Sequence, residues 1–449
     1  MNSNKPQIIL GLGKTGLSCV RYLVPQYNNL IVCDTRENPP GLAEFKQEFP
    51  TIPLHCGPLS AELLCQAERI IISPSLSLHE PAIAAALAQG IPVIGDVELF
   101  VQKNKAPIIA ITGTNAKGTV TTLTWMMAIN AGIKAVLGGN IGIPVLDLLH
   151  AAPAELYVLE LSSFQLESTY SLGAHAATIL NISEDHLDHH RDMQEYIAAK
   201  QRVYQGAQYC IFNRADKATI PPQQNETCFS FALDEPANDH EFGLRTQNGI
   251  TYLAQGEKLL MPASGLKIVG SHNVENALAA LALGSSLQLP LEAMLKALRE
   301  FTGLPHRCQL VRELNGVRWY NDSKATNIGA TEAALKGFAN DRHEHLILIA
   351  GGDGKGADFN LLRDMVAKQV DTVIVFGKDA DKILHSWQGI TTLLLVEDLE
   401  SAVQQAYALA KEADLVLLSP ACSSLDMFKN FEQRGELFSQ YVQQLGCAS

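Results

Sequence analysis

A chain of 449 residues is long enough for about three domains. It is 47% hydrophobic and 18% charged, which is typical of globular chains with several apolar cores. The formal net charge of −13 disfavours nucleic acid and anionic membranes as partners, and no apolar run has the length of a membrane helix. Nine cysteines without a C-x-x-C pair indicate neither a disulfide framework nor a zinc ribbon, and the N-terminus lacks a signal-peptide layout. We therefore expect a cytoplasmic multidomain protein with reduced thiols.

Short apolar runs alternate with helix-length segments along nearly the whole chain, which favours parallel α/β layers. The predicted strands lie at 8–10, 30–33, 69–72, 108–112, 156–161, 176–182, 209–212, 318–321, 346–350, 372–376, 392–396 and 415–419. Predicted helices include 81–89, 119–130, 193–204, 273–287 and 291–301. The polar stretch 221–255 predicts short antiparallel strands. Breaks at 102–107 and 302–306 give the predicted domains 1–103, 104–304 and 305–449.

A glycine-rich turn, Gly11-Leu-Gly-Lys-Thr-Gly16, follows the first predicted strand, and Asp34 ends the second. This spacing is typical of dinucleotide-binding folds, in which glycines let the backbone approach a pyrophosphate and the acid binds a ribose hydroxyl. Arg36 adds a cation where a phosphate could lie. Similar turns also occur where the chain only packs closely, so both interpretations stay open at this point.

A second strand-to-helix turn, Gly113-Thr-Asn-Ala-Lys-Gly-Thr119, has the parts of a phosphate-binding loop. Backbone amides, one lysine and a hydroxyl can hold ATP phosphates and magnesium. Ala116 stands where the standard motif has glycine, and Gly118 stands where it has a hydroxyl residue. An ordinary turn with a solvated lysine is the alternative.

Metal-ligand residue types follow two further predicted strands. Glu160 closes one strand, and the segment 181–190 after the next is rich in carboxylates and imidazoles, His186 among them. This composition fits a metal site and also a solvated polar loop. The pattern alone places Lys200 on the exposed face of an amphipathic helix.

Three polar loops follow strands in the last predicted domain, at 321–327, 351–356 and 419–426. The carboxyl ends of parallel strands meet at one edge of a sheet, and ligands bind there. The three loops therefore predict one pocket rather than three unrelated turns.

Taken together, these motifs resemble the Mur ligase family of peptidoglycan synthesis, which shares its ATP loop with folylpolyglutamate synthases. The resemblance runs in order along essentially the whole chain. Its family-wide marks are 113–119, Glu160, 184–186, 270–276 and His306-Arg307. The segments 322–327, 424–426 and 429–431 look like those of the D-glutamate-adding branch.

The resemblance implies three α/β domains: an N-terminal Rossmann-like domain, a central P-loop-type ATP-binding domain and a C-terminal Rossmann-like domain. It also implies a cytoplasmic ligase that uses ATP and Mg²⁺ to join D-glutamate to UDP-N-acetylmuramoyl-L-alanine through an acyl phosphate. The expected partners are these small molecules, without nucleic acid or membrane, and the expected state is a monomer.

Residue roles follow from the same resemblance. The UDP-linked substrate is expected at Thr15, Gly16, Asp34, Thr35, Arg36, Ser73 and Asn140. ATP is expected at Gly113, Thr114, Asn115, Ala116, Lys117, Gly118, Thr119, Asn273, Asn276, Arg307 and Asp322. Magnesium is expected at Glu160, His186 and Lys200, the last as a carbamate formed with carbon dioxide. The pocket for D-glutamate and the reacting carboxylate is expected to include Lys324, Thr326, Lys355, Ser424, Leu425 and Phe431. The implied catalytic residues are Lys117, Glu160, His186, Lys200 and Lys324.

The chain departs from the family pattern at Ala116 and Gly118, so Thr119 or a water would have to contact magnesium. Ser75 stands where the uridine-side loop is expected to have glycine. The nearest alternative function is a sibling Mur ligase or a folylpolyglutamate-type ligase with another acceptor. Two alternatives come from other classes: an NAD-dependent dehydrogenase built on the first glycine turn, and a sensor that binds ATP without turnover.

Overall fold

The computed structural model describes residues 5–150, 154–183, 185, 189–223, 227–268, 270–339 and 343–446. These residues form three mostly parallel sheets with helices between the strands. One compact unit runs to Met261 and includes Glu275–Ala297, and a second comprises Pro262–Val274 and the chain from Leu298. The predicted α/β class is confirmed, whereas the exact domain limits stay predictions.

The first sheet consists of β1 (Gln7–Leu10), β2 (Leu30–Asp34), β3 (Leu54–Cys56), β4 (Arg69–Ile72) and β5 (Val93–Gly95). They pair in parallel in the order β3-β2-β1-β4-β5. The accompanying helices are α1 (Lys14–Leu23), α2 (Leu42–Glu48), α3 (Ala61–Cys65), α4 (Pro81–Ala88) and α5 (Asp96–Lys103). Side chains alternate across a strand, so Ile8 and Leu10 enter one core while Ile9 enters another. A sheet buried on both faces explains the continuous apolar runs of the sequence.

The second sheet has β6 (Ile108–Thr112), β7 (Ala135–Gly139), β8 (Leu156–Glu160), β9 (Ala176–Ile179), β10 (Tyr209–Asn213), β11 (Cys228–Phe231), β12 (Glu241–Gln247), β13 (Ile250–Gln255) and β14 (Lys258–Pro262). Their order is β14-β13-β12-β11-β10-β9-β6-β8-β7, and β12 pairs with β13 in the antiparallel sense predicted for the polar stretch. The helices α6 (Lys117–Asn130), α7 (Ser163–Glu167), α8 (Met193–Gln201), α9 (Ser271–Ser286) and α10 (Leu291–Glu300) belong to this part of the chain.

The first two sheets share one core. Ile9 and Phe100 belong to the same buried cluster as Tyr157 and Leu159 of the second sheet. The carboxylate of Glu98, on α5, accepts hydrogen bonds from the Tyr170 and Ser171 backbone amides at 2.7 and 2.9 Å and from the Ser171 hydroxyl at 2.6 Å. The two sheets therefore form a single packed unit.

The third sheet lies in the second unit and has β15 (Gln309–Leu314), β16 (Val317–Asn321), β17 (Leu346–Gly351), β18 (Thr372–Phe376), β19 (Thr392–Leu395) and β20 (Leu415–Leu418). Their order is β15-β16-β20-β17-β18-β19, parallel except for the β15–β16 pair. The helices here are α11 (Ile328–Phe338), α12 (Arg363–Gln369), α13 (Ala380–Trp387), α14 (Leu399–Leu409) and α15 (Phe431–Gln444). Among the described residues, no helix combines the length and apolar character that crossing a membrane requires.

Candidate active site

The first glycine turn lies at the carboxyl end of β1, beside the loop that follows β4. The strand order reverses between these two neighbours, and such crevices bind ligands in open α/β sheets. Ser73 donates a hydrogen bond of 3.3 Å to the Gly11 carbonyl. A Cβ atom at Gly16 would lie 1.8 Å from the same carbonyl oxygen, so only glycine fits there. The structure thus brings together Thr15, Gly16 and Ser73, three residues predicted near the UDP part of the substrate.

Asp34, at the end of β2, accepts hydrogen bonds from nearby residues of its own predicted domain. One carboxylate oxygen accepts the Leu12 backbone amide at 2.6 Å and an Arg36 guanidinium nitrogen at 2.7 Å, and the other accepts Arg36 Nε at 2.8 Å. Burial raises the pKa of Asp34, but these hydrogen bonds outweigh it and lower the pKa below its usual value. Asp34 therefore fixes the glycine turn and orients Arg36, whose side chain is half exposed. Its direct contact with uridine stays a prediction.

The second glycine turn is built around a left-handed residue. Ala116 has φ = 65° and is the N-cap of α6. The ammonium of Lys117 donates hydrogen bonds to the Gly113 and Thr114 carbonyls at 2.9 and 2.8 Å. The lysine charge is thereby held inside the loop, at the start of a helix whose first amides can bind anions.

Lys200 is buried beside this loop, with 1% of its surface exposed, so the exposed position predicted from the helix pattern is wrong. Its ammonium donates to the Gly113 carbonyl at 2.9 Å and lies 4.6 Å from the centre of the Tyr196 ring. Burial and the nearby Lys117 charge lower the pKa of Lys200 to about 7, against the opposing effect of Asp185 and Glu160. A large share of neutral amine therefore exists near neutral pH, and neutral amine is the form that reacts with carbon dioxide.

Glu160 ends β8 and is 6% exposed. The side chain of Asn140 donates to a Glu160 carboxylate oxygen at 2.7 Å, and the Asn140 amide donates to the Glu160 carbonyl at 2.8 Å. Asn140, which is expected to contact the muramoyl group, is thus hydrogen-bonded to Glu160, which is expected to bind magnesium.

The donor set for magnesium is only partly described. His186 lies outside the described residues, and among those that are described no three His, Cys, Asp or Glu side chains form a metal-binding group. Glu160 and the Lys200 amine both lie at the edge of the sheet that carries the second glycine turn. A carbamate on Lys200 would add a second anionic oxygen ligand, the type that Mg²⁺ prefers. With Lys200 carbamylated, the described residues fit a magnesium site.

In the second unit, the loops after β17 and β20 are joined directly. The Asp353 amide donates to the Ser423 carbonyl at 3.0 Å, and the Ser423 amide donates to the Asp353 carbonyl at 2.9 Å. Lys355 follows in the left-handed conformation, with φ = 50°. This pairing brings the segments of Lys355, Ser424 and Leu425 together, as the single-pocket prediction requires.

The loop after β16 carries Lys324, whose ammonium lies 4.4 Å from the centre of the Phe431 ring. Asp322 begins this loop and is buried, with its two carboxylate oxygens accepting the Ser419 hydroxyl at 2.8 Å and the Cys308 amide at 3.2 Å. Burial raises the pKa of Asp322 to about 7. Asp322 therefore anchors the loop to β20, and its contact with a ribose stays a prediction.

The remaining ATP-site predictions concern one helix and one loop. Asn273 and Asn276 lie three residues apart on α9 and so share a helix face. Arg307 is exposed in the loop before β15, between two residues with positive φ, His306 and Cys308.

Sequence reasoning missed Arg434, which connects the three loops of the second unit. Arg434 is fully buried on α15. Its guanidinium donates to the Ser323 hydroxyl and carbonyl at 3.0 and 2.8 Å, to the Cys422 carbonyl at 3.1 Å, and to the Gly351 carbonyl at 3.5 Å. Burial lowers the pKa of Arg434 to about 10. The four-residue spacing of Arg434, Phe438 and Val442 was the available signal, because it puts the arginine on the buried face of the helix.

Three family models match the chain: the N-terminal domain of MurD-like Mur ligases over residues 5–95, the Mur ligase middle domain over 111–284 and the Mur ligase glutamate ligase domain over 306–422. The chain belongs to the Mur ligase family. This membership confirms the resemblance and contradicts the dehydrogenase alternative.

Curated relatives point to one branch of that family. The UDP-N-acetylmuramoylalanine--D-glutamate ligases of Pseudomonas putida and Pseudomonas aeruginosa are each 51% identical to this chain, over 98% of it and 97% and 98% of their own lengths. The ligase of the same name from Nitrosococcus oceani is 48% identical over 98% of this chain and 96% of its own. The solved structure of UDP-N-acetylmuramate-alanine ligase MurC from Thermotoga maritima has a TM-score of 0.57 at 18% identity, covers 98% of this chain and 100% of that one, and shows the shared fold.

The left-handed conformation of Ala116 leads to a prediction about the loop. Replacing Ala116 by Gly and Gly118 by Ser is expected to keep or raise turnover and to lower the magnesium requirement. Glycine accepts φ = 65° without strain, and a hydroxyl beside Lys117 can reach a bound metal. The Ala116→Gly change alone should stabilise the protein by about 0.5–1 kcal/mol, because Cβ at positive φ costs more than glycine loses in entropy.

Thermal unfolding and a magnesium titration of turnover check this prediction. Gly132→Ala is a matched control for the sign of the stability change, since it puts a methyl group at φ = 84° and should destabilise. A well-folded double variant that needs more magnesium would contradict our interpretation of the loop.

A second prediction concerns the missed arginine. Arg434→Met is expected to raise KM for the amino acid acceptor at least tenfold, because its hydrogen bonds hold the loops of Lys324, Ser424 and Lys355 in register. Turnover measured against each substrate checks it, with Arg434→Lys keeping the charge but losing the forked geometry. Equal KM values for Arg434→Met and the parent enzyme would show that Arg434 serves stability alone.

Proposed function

We propose that this protein catalyses the ATP-dependent ligation of D-glutamate to UDP-N-acetylmuramoyl-L-alanine, yielding ADP and phosphate, as a cytoplasmic monomer in peptidoglycan precursor synthesis. The observation that carries the proposal is the identity of about half of all positions with D-glutamate-adding ligases over 98% of the chain. The hydrogen bonds that partly buried Lys117 and buried Lys200 both donate to the Gly113 carbonyl support it independently.

The first chemical step activates a poor electrophile. An oxygen of the alanyl carboxylate attacks the γ-phosphorus of ATP, and ADP leaves with the bridging oxygen. Lys117, held by the Gly113 and Thr114 carbonyls, is placed to offset charge on the transferring phosphoryl group. Magnesium, held by Glu160, His186 and carbamylated Lys200 with Thr119 nearby in sequence, would supply further charge neutralisation on the phosphates.

The second step forms the amide. The neutral amine of D-glutamate attacks the acyl carbon and loses a proton to solvent, the tetrahedral oxyanion collapses, and phosphate leaves. Lys324 and Lys355 are both exposed cations on loops of the third sheet, and they suit a dicarboxylate acceptor. Arg434 is buried behind those loops and holds them through hydrogen bonds to the Ser323 and Cys422 carbonyls.

Phosphate release tests the proposal directly. With Mg·ATP and UDP-N-acetylmuramoyl-L-alanine present, D-glutamate is expected to start phosphate release, whereas L-glutamate, L-lysine and D-alanyl-D-alanine are not. Release with another acceptor would assign the chain to a sibling ligase. ATP binding without release under any of these conditions would favour the sensor alternative.

A further inference from the structure

The first unit contains a cleft of about 420 Å³ on the side of the central sheet away from the phosphate loop. It is lined by Tyr22, Lys103, Asn104, Lys105, Ala106, Leu149, His150, Ala154 and Tyr157. Tyr157 is the second residue of β8, and Glu160 lies at the opposite end of the same strand, about 10 Å away at the usual rise per residue. The cleft is therefore separate from the candidate active site.

The rim of this cleft is positive in an acidic protein. Lys103, Lys105 and His150 gather there, although the chain as a whole carries a net charge of −13. Within the part of the chain that the structure describes, none of the three makes an ion pair or a side-chain hydrogen bond. The charges of Lys103 and Lys105 are thus available to an anion entering from solvent.

The floor of the cleft is aromatic and apolar. Tyr157 is 5% exposed, and its ring packs edge-on against Phe100 at 5.0 Å between centroids. Tyr22, Leu149 and Ala154 are partly buried around it. The Tyr157 hydroxyl makes no hydrogen bond to any described residue, which leaves a polar group at the bottom of an apolar cleft.

Hydrogen bonds fix two parts of the wall of the cleft. Ser18 of α1 donates a hydrogen bond of 2.6 Å to Asp147, which holds that helix against the turn that carries Leu149 and His150. The Asn104 side chain donates to the Ala106 carbonyl at 2.7 Å and accepts the Ala106 amide at 3.1 Å, which fixes the linker between the two lysines. A ligand would not have to order these two parts of the site before binding.

We propose that the cleft binds a small aromatic anion, with its ring against Tyr22 and its charged group between Lys103 and Lys105. The volume is within the range of small-molecule sites. A flat ring with one anionic group complements the apolar floor and the lysines of the rim. This site goes beyond the proposed ligation, since it contains none of the residues assigned to that reaction.

Isothermal titration of the full chain with naphthalene-2-sulfonate tests the proposal. We expect saturable binding to one site that weakens as salt is added, with much weaker binding of 2-naphthol, which lacks the charge, and of methanesulfonate, which lacks the ring.

Two independent changes locate the binding. Lys103→Gln with Lys105→Gln is expected to weaken the sulfonate at least tenfold, and Ala106→Trp, which fills the cleft without removing charge, is expected to abolish binding. The matched control replaces the exposed lysines Lys217 and Lys258 by Gln and should bind like the parent. Failure of the sulfonate to bind, or equal losses in the control and the cleft variants, would overturn the proposal. Ligase turnover of all these variants should stay at the parent level.

Discussion

Lys200→Ala is expected to abolish ligation while leaving a folded protein whose activity short carboxylates restore in part. Lys200 is buried, its amine contacts the Gly113 carbonyl of the phosphate-type loop, and its lowered pKa favours the form that carbon dioxide attacks. A carbamate there would give magnesium an anionic oxygen ligand. Alanine removes that ligand and leaves space in which acetate or formate can supply the missing oxygen.

Steady-state turnover with and without added acetate measures the effect. Lys200→Met fills the same space with an apolar chain, so it should be inactive and resist rescue. Lys217→Ala removes an exposed lysine and should change stability by under about 0.5 kcal/mol and turnover hardly at all. Full activity of Lys200→Ala without any carboxylate would refute the carbamate.

Lys117→Ala is the second change with a large expected effect. The ammonium of Lys117 is held by two carbonyls of its own loop, so it is oriented before any phosphate arrives. Loss of one preorganised charge at a transferring group costs about 10²–10³-fold in kcat, and we expect ligation to fall at least that far. The fold should survive, since α6 keeps its buried face of Val120, Leu123 and Met127.

Phosphate release and thermal unfolding of Lys117→Ala, measured on one preparation, separate chemistry from folding. Lys134→Ala is a suitable control. Lys134 is an exposed lysine directly before β7, an edge strand of the same sheet, and its loss should not change turnover. Near-normal turnover by a folded Lys117→Ala protein would show that this lysine only closes the loop.

The sequence predicted the fold more fully than the site. Buried parallel strands such as β6 and β17 stand out as apolar runs, and the helices between them set the α/β class. Among the strands that escaped prediction, Leu54–Cys56 is short and β7 ends in Gly138–Gly139, whereas β14 and β15 mix polar and apolar residues at the edges of their sheets. Local pattern carries little information about such edges.

The site residues that pattern misjudged depend on tertiary packing. Lys200 occupies a helix position that looks exposed until the phosphate-type loop covers it. The hydrogen bonds of Asp34 to the Leu12 amide of the first glycine turn and to Arg36, two residues along the chain, were likewise not visible in the pattern, and its contact with uridine stays a prediction. Periodicity identifies the buried face of a helix, but it does not identify which loop packs there.

The core shared by the first two sheets has a consequence for unfolding. Since Ile9 and Tyr157 lie in one cluster and Glu98 bonds to the backbone of Tyr170 and Ser171, these sheets cannot lose structure independently. They should behave as one cooperative unit, so amides in β1 and β8 should exchange with solvent hydrogen through the same opening event. A ligand bound at the first glycine turn should then also protect the second glycine turn from proteolysis, and damage to either sheet should disturb both turns.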